Sequence, residues 1–391
     1  MRLTQRTLVQ PNSPIGAHAR LLDQVPVDKS LLDLSQGAPG FPPAAVVTEA
    51  MVSALRNEDG SRYSPLKGLP ALREAYATDL SAMYGADLSS EDVCVTSGCN
   101  QAFTMVVSAL AEAGDEVIVP LPYYFNHEMW LGLDGLVSVH AKPADGLRLS
   151  VADVSELVTN RTRALLLVTP GNPTGSIMTS AELSAFADFA RDAGIVLVLD
   201  ETYRSFVPGA LAGEAPHDLF GRPDWRDYLV SLHSCSKDLA IPGQRIGAIV
   251  GESRLLDEVA KLIDCVTICA PRSGQMAAIA GLTKAQDWRI EKVREIAEKQ
   301  ARFEAVMAAE PGGFRLHSSG AYYGWVQHPF DDRSSDGVVE QLILEQGILV
   351  IPGTAFMPAD ERMLRFSFAN APLSRLAELS DRLVEFSSNV R

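Results

Sequence analysis

From about residue 93 the apolar positions come in short unbroken runs, separated by longer stretches in which they recur every three or four residues. VCVT (93–96), EVIVP (116–120), VSVH (137–140), ALLLVT (164–169) and IVLVLD (195–200) are runs of strand length. Helix-like stretches lie among them at 100–112 and, rich in alanine, at 181–192. Strands that read as apolar throughout and alternate with helices predict an α/β fold, with a mostly parallel central sheet covered by helices on both faces. Ligands of such sheets bind beyond the carboxyl ends of the strands. That rule points to the loops 97–100, 170–175 and 200–203. From about residue 285 the text changes to a long charged helix (289–304), scattered strands and a C-terminal helix. The chain therefore divides into an N-terminal arm (1–45), a large domain (46–284) and a smaller α+β domain (285–391), against which the arm packs.

Composition narrows the class without touching the chemistry. With 391 residues the chain can bury a sizeable core, and 47% hydrophobic against 21% charged residues is ordinary for a globular protein. A net charge of −15 disfavours nucleic acid and anionic membrane as partners. The five cysteines, Cys94, Cys99, Cys235, Cys265 and Cys269, match neither a zinc site nor a redox pair. They read as reduced thiols of a cytoplasmic protein, and no metal is expected. The opening MRLTQRTLVQPNSPIG has no apolar run of signal-peptide type, and no run is long enough to span a membrane. GxGxxG, GxxxxGK[ST] and GxSxG are missing from the sequence, and His127-Glu128 is followed by Leu131 where a zinc protease needs its second histidine.

Four loops carry the chemistry. SCSKDLAIPGQRIG (234–247) sets Lys237 among hydroxyls, with Arg245 eight residues on. An amine attacks a carbonyl only when unprotonated, so a lysine tuned downward by burial or a nearby cation can form a Schiff base with an aldehyde cofactor. Ser234, Ser236 and Arg245 are the donors suited to a phosphate. A solvated lysine in a surface loop is the competing reading of this segment taken alone. In VTPGNPTG (168–175), Asn172-Pro173 is a turn signal and Gly175 relaxes the backbone, which an ordinary turn would also explain. LDETY (199–203) ends an apolar strand on Asp200, a carboxylate that needs a cationic partner such as a protonated ring nitrogen, while Tyr203 can donate to a ring oxygen. In TSGCNQA (96–102), Gly98, Cys99 and Asn100 form a strand-to-helix turn whose free N–H groups suit an anion.

Taken together and in this order, the loops resemble the class I/II aminotransferases, fold-type I enzymes that depend on pyridoxal 5'-phosphate. The resemblance runs through nearly the whole chain. LSQGAPGFP (34–42) is similar to the family's substrate loop, with Gly37 in place, YSPLKGLPALREA (63–75) to the stretch that gives a tyrosine to the neighbouring subunit, and MLRFSF (363–368) to the strand bearing the carboxylate-binding arginine. It implies that Lys237 bonds the cofactor aldehyde, Asp200 pairs with the ring nitrogen with His127 behind it, and Tyr203 and Asn172 bond the ring oxygen. It further implies that Tyr124, or its neighbour Tyr123, stacks on the ring, and that Cys99, Asn100, Ser234, Ser236, Arg245 and Tyr63 hold the phosphate. Arg365, with Gly37 and Asn172 beside it, would bind the α-carboxylate of an amino acid or 2-oxo acid. Because Tyr63 crosses between subunits in the family, a homodimer is implied as well.

The shared residues serve several reactions, since a carbon–sulfur β-lyase or an aminocyclopropane-carboxylate synthase begins from the same carbanion. Ping-pong transamination is the favoured reading, and a non-catalytic cofactor-binding module the more distant rival. Arg272, in CAPRSGQ (269–275), is either a reader of a distal carboxylate or a structural residue. Tyr123, Tyr322 and Tyr323 are either pocket lining or core.

Overall fold

A computed structural model describes residues 1–17, 19–25, 29–144 and 146–390. Near the N-terminus, β1 (Leu32–Asp33) is the first strand. The large sheet follows, made of β2 (Val93–Thr96), β3 (Glu116–Pro120), β4 (Val137–Ala141), β5 (Thr162–Val168), β6 (Val196–Asp200), β7 (Leu229–Ser234) and β8 (Gly247–Val250). Its seven strands run in the order β2-β8-β7-β6-β5-β3-β4, with β8 antiparallel to both neighbours and the other pairings parallel. Period-2 alternation divides the apolar residues of this first core between the two faces of the sheet. Leu165, Leu167, Leu197 and Leu199 face one layer of helices, while Ala164, Leu166, Val198 and Leu232 face the other.

The helices follow their local signals. Ser180–Ala193 opens on a capping box, in which Thr179 Oγ1 accepts from the Glu182 N–H at 3.2 Å and Glu182 accepts from the Thr179 N–H at 2.7 Å. It closes on Gly194 in the left-handed conformation, φ 67°. The expected helix at 100–112 spans Cys99–Leu110, and the charged helix expected at 289–304 spans Gln286–Met307. One expectation needs correction: β4 is not apolar throughout. It is the edge strand of the sheet, and only Ala141 is fully buried.

The second core collects Phe303, Phe314, Val338, Leu342, Phe366 and Phe368 beside an antiparallel sheet. That sheet contains β9 (Arg315–Gly320), β10 (Tyr323–Gln327), β12 (Ile351–Pro352) and β13 (Met363–Ser367), in the order β12-β13-β10-β9. The remaining strand, β11 (Ile348–Leu349), pairs in parallel with β1. Leu34 extends this tie: its N–H donates to Leu349 O at 2.8 Å and its carbonyl accepts from Ser367 N–H at 2.7 Å.

The helix Gln286–Met307 joins the two cores. Its far end buries Phe303 and Met307 in the second. Its near end buries Arg289 against Asp79 of the large unit, at 2.6 and 3.3 Å, and against Asp238 at 3.4 Å. Arg204 completes the group, 3.7 Å from Asp79 and 3.9 Å from Asp238. Two buried cations thus face two carboxylates, and Asp238 is the chain neighbour of Lys237. Removing Arg289 leaves two carboxylates to share Arg204, the more distant cation. Arg289→Met should therefore destabilise the protein by about 3–5 kcal/mol, read as a lower midpoint in urea or thermal unfolding.

Candidate active site

The carboxyl ends of β5, β6 and β7 open onto one cavity of about 200 Å³. Asp200, the last residue of β6, is buried there. Its Oδ2 lies 3.2 Å from His127 Nε2, and its Oδ1 accepts from the Thr202 N–H at 3.0 Å and the Cys99 thiol at 3.5 Å. Burial pushes the carboxyl up, but His127 and the bonds from Thr202 outweigh it and hold Asp200 below the usual carboxylate range. His127 is wedged between aromatic rings, 5.0 Å from Tyr124 edge-on and 4.2 Å from Phe103.

Strand β7 ends on Ser234, whose Oγ accepts from the Ser236 N–H at 3.1 Å and caps the short turn Cys235–Asp238. That turn carries Lys237, whose Nζ donates to the Gly37 carbonyl. Burial lowers the lysine first, and the guanidinium groups of Arg365 and Arg245 add to it, so the amine is pulled down to about 8. Arg245 takes a left-handed φ of 54° and donates to Pro242 O at 2.9 Å. Its guanidinium rests on Gly98, where a Cβ would overlap it and where φ is +91°. Gly98 is also the cap of the helix Cys99–Leu110, whose first N–H groups have no carbonyl within the helix to donate to.

Across the cavity, Arg365 rises from β13. It is buried and donates to Asn172 Oδ1 at 2.8 Å and to the Ser35 carbonyl. Its guanidinium lies 4.7 Å from the Tyr323 ring centroid and 5.0 Å from that of Phe356. The hydroxyls of Tyr203 and Tyr323 are hydrogen-bonded to each other. Gly37 passes so close that a Cβ would overlap the Tyr323 hydroxyl.

Of the residues singled out from the sequence, Gly37, Cys99, Asn100, Tyr124, Asn172, Asp200, Tyr203, Ser234, Ser236, Lys237, Arg245 and Arg365 all line this cavity. Gly98 supports it from beneath Arg245. Tyr63 lies outside, 74% exposed. Between the adjacent tyrosines it is Tyr124 that lines the cavity, while Tyr123 tilts against His140 at 5.4 Å. Arg272 opens the helix Arg272–Lys284 and does not line it. Tyr323, left open between pocket lining and core, lines it, and Thr202, Phe125, Val168 and Pro242 line it without having been singled out. Thr202 could have been found as the residue two after a strand-end aspartate, where its N–H turns back on the carboxylate. Phe125, Val168 and Pro242 carry no polar signal.

The residues fit a phosphorylated pyridine aldehyde: an amine tuned toward reactivity, a carboxylate for a ring cation, phenol and amide groups, and an arginine with hydroxyls at a helix N-terminus for the phosphate. A family model described as "Aminotransferase class I and II" matches residues 29–383. The putative aminotransferase YugH of Bacillus subtilis (strain 168) is 29% identical over 97% of this chain and 97% of its own. The arginine–pyruvate transaminase AruH of Pseudomonas aeruginosa is 29% identical over 91% of this chain and 90% of its own. A double mutant of the Thermus thermophilus aspartate aminotransferase superimposes with a TM-score of 0.89 at 28% identity, covering 99% of this chain and 100% of that one.

The low position of Lys237 is directly measurable. In cofactor-free protein, labelling of Lys237 by a small amine-directed reagent should rise through about pH 8, the value to which the amine is pulled. Ordinary surface lysines follow a pKa near ~10.4. Peptide mass analysis across pH distinguishes them, and a Lys237 profile that tracks the surface lysines would show that burial and the arginines do not tune it.

Proposed function

The chain belongs to the class I and II aminotransferases, pyridoxal-phosphate-dependent enzymes that move an amino group between an amino acid and a 2-oxo acid, and we propose a specific division of that work among its residues. When bound, the cofactor supplies an electron-poor ring that draws off the electron pair left when the substrate loses its Cα proton. The chain's part is to hold the ring, orient the substrate and move the proton.

Lys237 holds the cofactor through its amine and, once the substrate's own amine has displaced it, is the base that moves the Cα proton. The single observation that carries this role is the place of the Lys237 amine in the cavity lined by Asp200, Arg245 and Arg365, where burial and the two guanidinium groups pull it down to about 8. Asp200 keeps the ring nitrogen protonated, supported by His127 at 3.2 Å. Tyr203 and Asn172 bond the ring oxygen, and Tyr124 stacks on the ring. The phosphate is held by Arg245, Ser234, Ser236 and the N–H groups of Cys99 and Asn100, with Gly98 giving Arg245 room. Arg365 orients the substrate by its α-carboxylate, beside Gly37 and Asn172. An L-amino acid and a 2-oxo acid then use the same site in turn, which gives ping-pong kinetics.

The proposal extends to assembly and location. Tyr63 reaches the active site of a second copy in a homodimer, a reading supported by its exposure together with that of Val52, Leu55 and Leu66. A cytoplasmic location is supported by five unpaired cysteines. No helix among the described residues is long and apolar enough to cross a membrane. The passage from one apolar core to another near Ala285 supports an arm at 1–45, a cofactor-binding domain at 46–284 and a small domain at 285–391.

Two experiments test these roles. Purified protein should be yellow with a pH-dependent visible band, and Lys237→Ala should keep the cofactor through its phosphate contacts yet lose turnover. Near-normal activity in that variant would overturn the assignment. Arg365→Lys loses two parallel bonds that an ammonium group does not reproduce, so every amino acid and 2-oxo acid should weaken together by roughly 2–5 kcal/mol. Arg272→Ala should spare them all, and a loss confined to aspartate or glutamate would make Arg272 the reader of a distal carboxylate.

A further inference from the structure

Tyr323 touches several parts of the site at once. It is 1% exposed, its hydroxyl bonds the Tyr203 hydroxyl, and its ring centroid lies 4.7 Å from the Arg365 guanidinium carbon. The same hydroxyl lies against Gly37, where a Cβ would overlap it. The tip of the β9–β10 hairpin presents it: Tyr323 pairs with Gly320, and the intervening turn sets Ala321 at φ 47°, a region that residues with a Cβ seldom occupy. The hairpin is tied to the large sheet's loops from the strand before this turn and from the turn itself. Ser318 Oγ donates to Thr174 O at 2.7 Å, and the Tyr322 hydroxyl donates to the Lys237 carbonyl at 3.4 Å.

Resting on the assignment of the site given above, we propose that Tyr323 is a positioning residue with two separable tasks. Its ring holds the face of Arg365 for the substrate carboxylate, and its hydroxyl frees the Tyr203 proton for the cofactor's ring oxygen. The second task follows from counting protons. A phenol has one. Once Tyr203 donates into the cavity, its oxygen meets Tyr323 only as an acceptor, so Tyr323 becomes the donor. Two O–H bonds then run in one direction and polarise each other, and losing the first weakens the second.

The first task is electrostatic. An aromatic face attracts a guanidinium group, and the Phe356 ring, centroid at 5.0 Å, also contacts this one. Arg365 Nε has no hydrogen-bond partner among the described residues, so the rings hold what hydrogen bonds do not.

The tasks separate in two variants of the loaded enzyme. Tyr323→Phe keeps the ring and removes the hydroxyl. A weaker donor stabilises the deprotonated ring oxygen less, so the pH at which the bound cofactor's absorbance changes should rise by roughly half a unit or more. KM for the amino acid should stay within about twofold of wild type, because the face of Arg365 is intact. Tyr323→Leu removes the ring, and both KM and the inhibition constant of a simple carboxylate such as propionate should rise about three- to tenfold. Tyr323→Met, whose longer and more flexible side chain fills the site differently, carries the same expectation if the leucine variant does not fold, and thermal melting reports on folding throughout. An absorbance titration unchanged in Tyr323→Phe overturns the hydroxyl task, and unchanged carboxylate affinity in the folded Leu or Met variant overturns the ring task. A wild-type protein without a pH-dependent band would instead defeat the cofactor reading itself.

Discussion

An amine is buried in a cavity that it shares with two guanidinium groups, and the rest of the site depends on how far that burial and those charges lower it. Burial alone disfavours the ammonium form of Lys237, and Arg365 and Arg245 add to it, against a smaller opposing pull from Cys99 and Asp200. The balance leaves the amine at about 8, close enough to neutrality to serve as nucleophile and base. The two arginines come from different units. Arg245 stands just before β8 of the large sheet, and Arg365 on β13 of the small one. The reactivity of the lysine therefore depends on how the two cores are held together. That is the work of the buried cluster of Arg289, Arg204, Asp79 and Asp238, whose last member adjoins the lysine.

The end of β6 shows how a strand serves a site and the structure behind it together. Asp200 and Glu201 are adjacent, and the alternation of a strand sends them to opposite faces. Asp200 faces the cavity. Glu201 is buried behind it, accepting from the Tyr84 hydroxyl at 2.6 Å and from Ser231, and lying 3.2 Å from His217 Nε2. Burial pushes Glu201 up, yet the pairing with His217 outweighs it and holds the carboxyl at about 2. Ser231 belongs to β7, so this network ties the strand that ends in Asp200 to the strand that leads into Ser234 and Lys237. Asp200 and Lys237 are thus indexed to each other from behind the cavity.

Much of this was legible in the sequence, for identifiable reasons. Strands β2, β3, β5 and β6 are uninterrupted apolar runs because helices cover them on both faces, and the loops at their carboxyl ends bear most of the polar groups that line the cavity. Strand β7 escaped notice because Ser231 and His233 break its apolar run, and both serve the network around Glu201. Strand β4 looked like its neighbours, since a local pattern does not report that a strand lies at an edge. Tyr323 was legible only as an open alternative. A tyrosine pair beside a hairpin turn reads alike for core and for pocket, and its partner Tyr203 is 120 positions away.

The hydrogen bonds of the two reactive cations show how the site meets its ligands. Arg365 donates to the amide oxygen of Asn172 and the carbonyl of Ser35, and Lys237 to the carbonyl of Gly37. All three acceptors are neutral. A carboxylate adds a full opposite charge and a second, parallel bond to what a carbonyl offers a guanidinium group, so on the proposed assignment a substrate carboxylate displaces the Ser35 carbonyl without breaking an ion pair. Had an aspartate stood at Ser35, the substrate would compete with a charge already in place. Ser35 and Gly37 also belong to one short segment, which is held to the small unit on the near side of Ser35 by Leu34 and between the two by Ser367 Oγ on the Gln36 carbonyl at 2.8 Å. The groups that release Arg365 and Lys237 are therefore neighbours on one anchored strip of backbone, so engaging the lysine and engaging the arginine act on the same few residues.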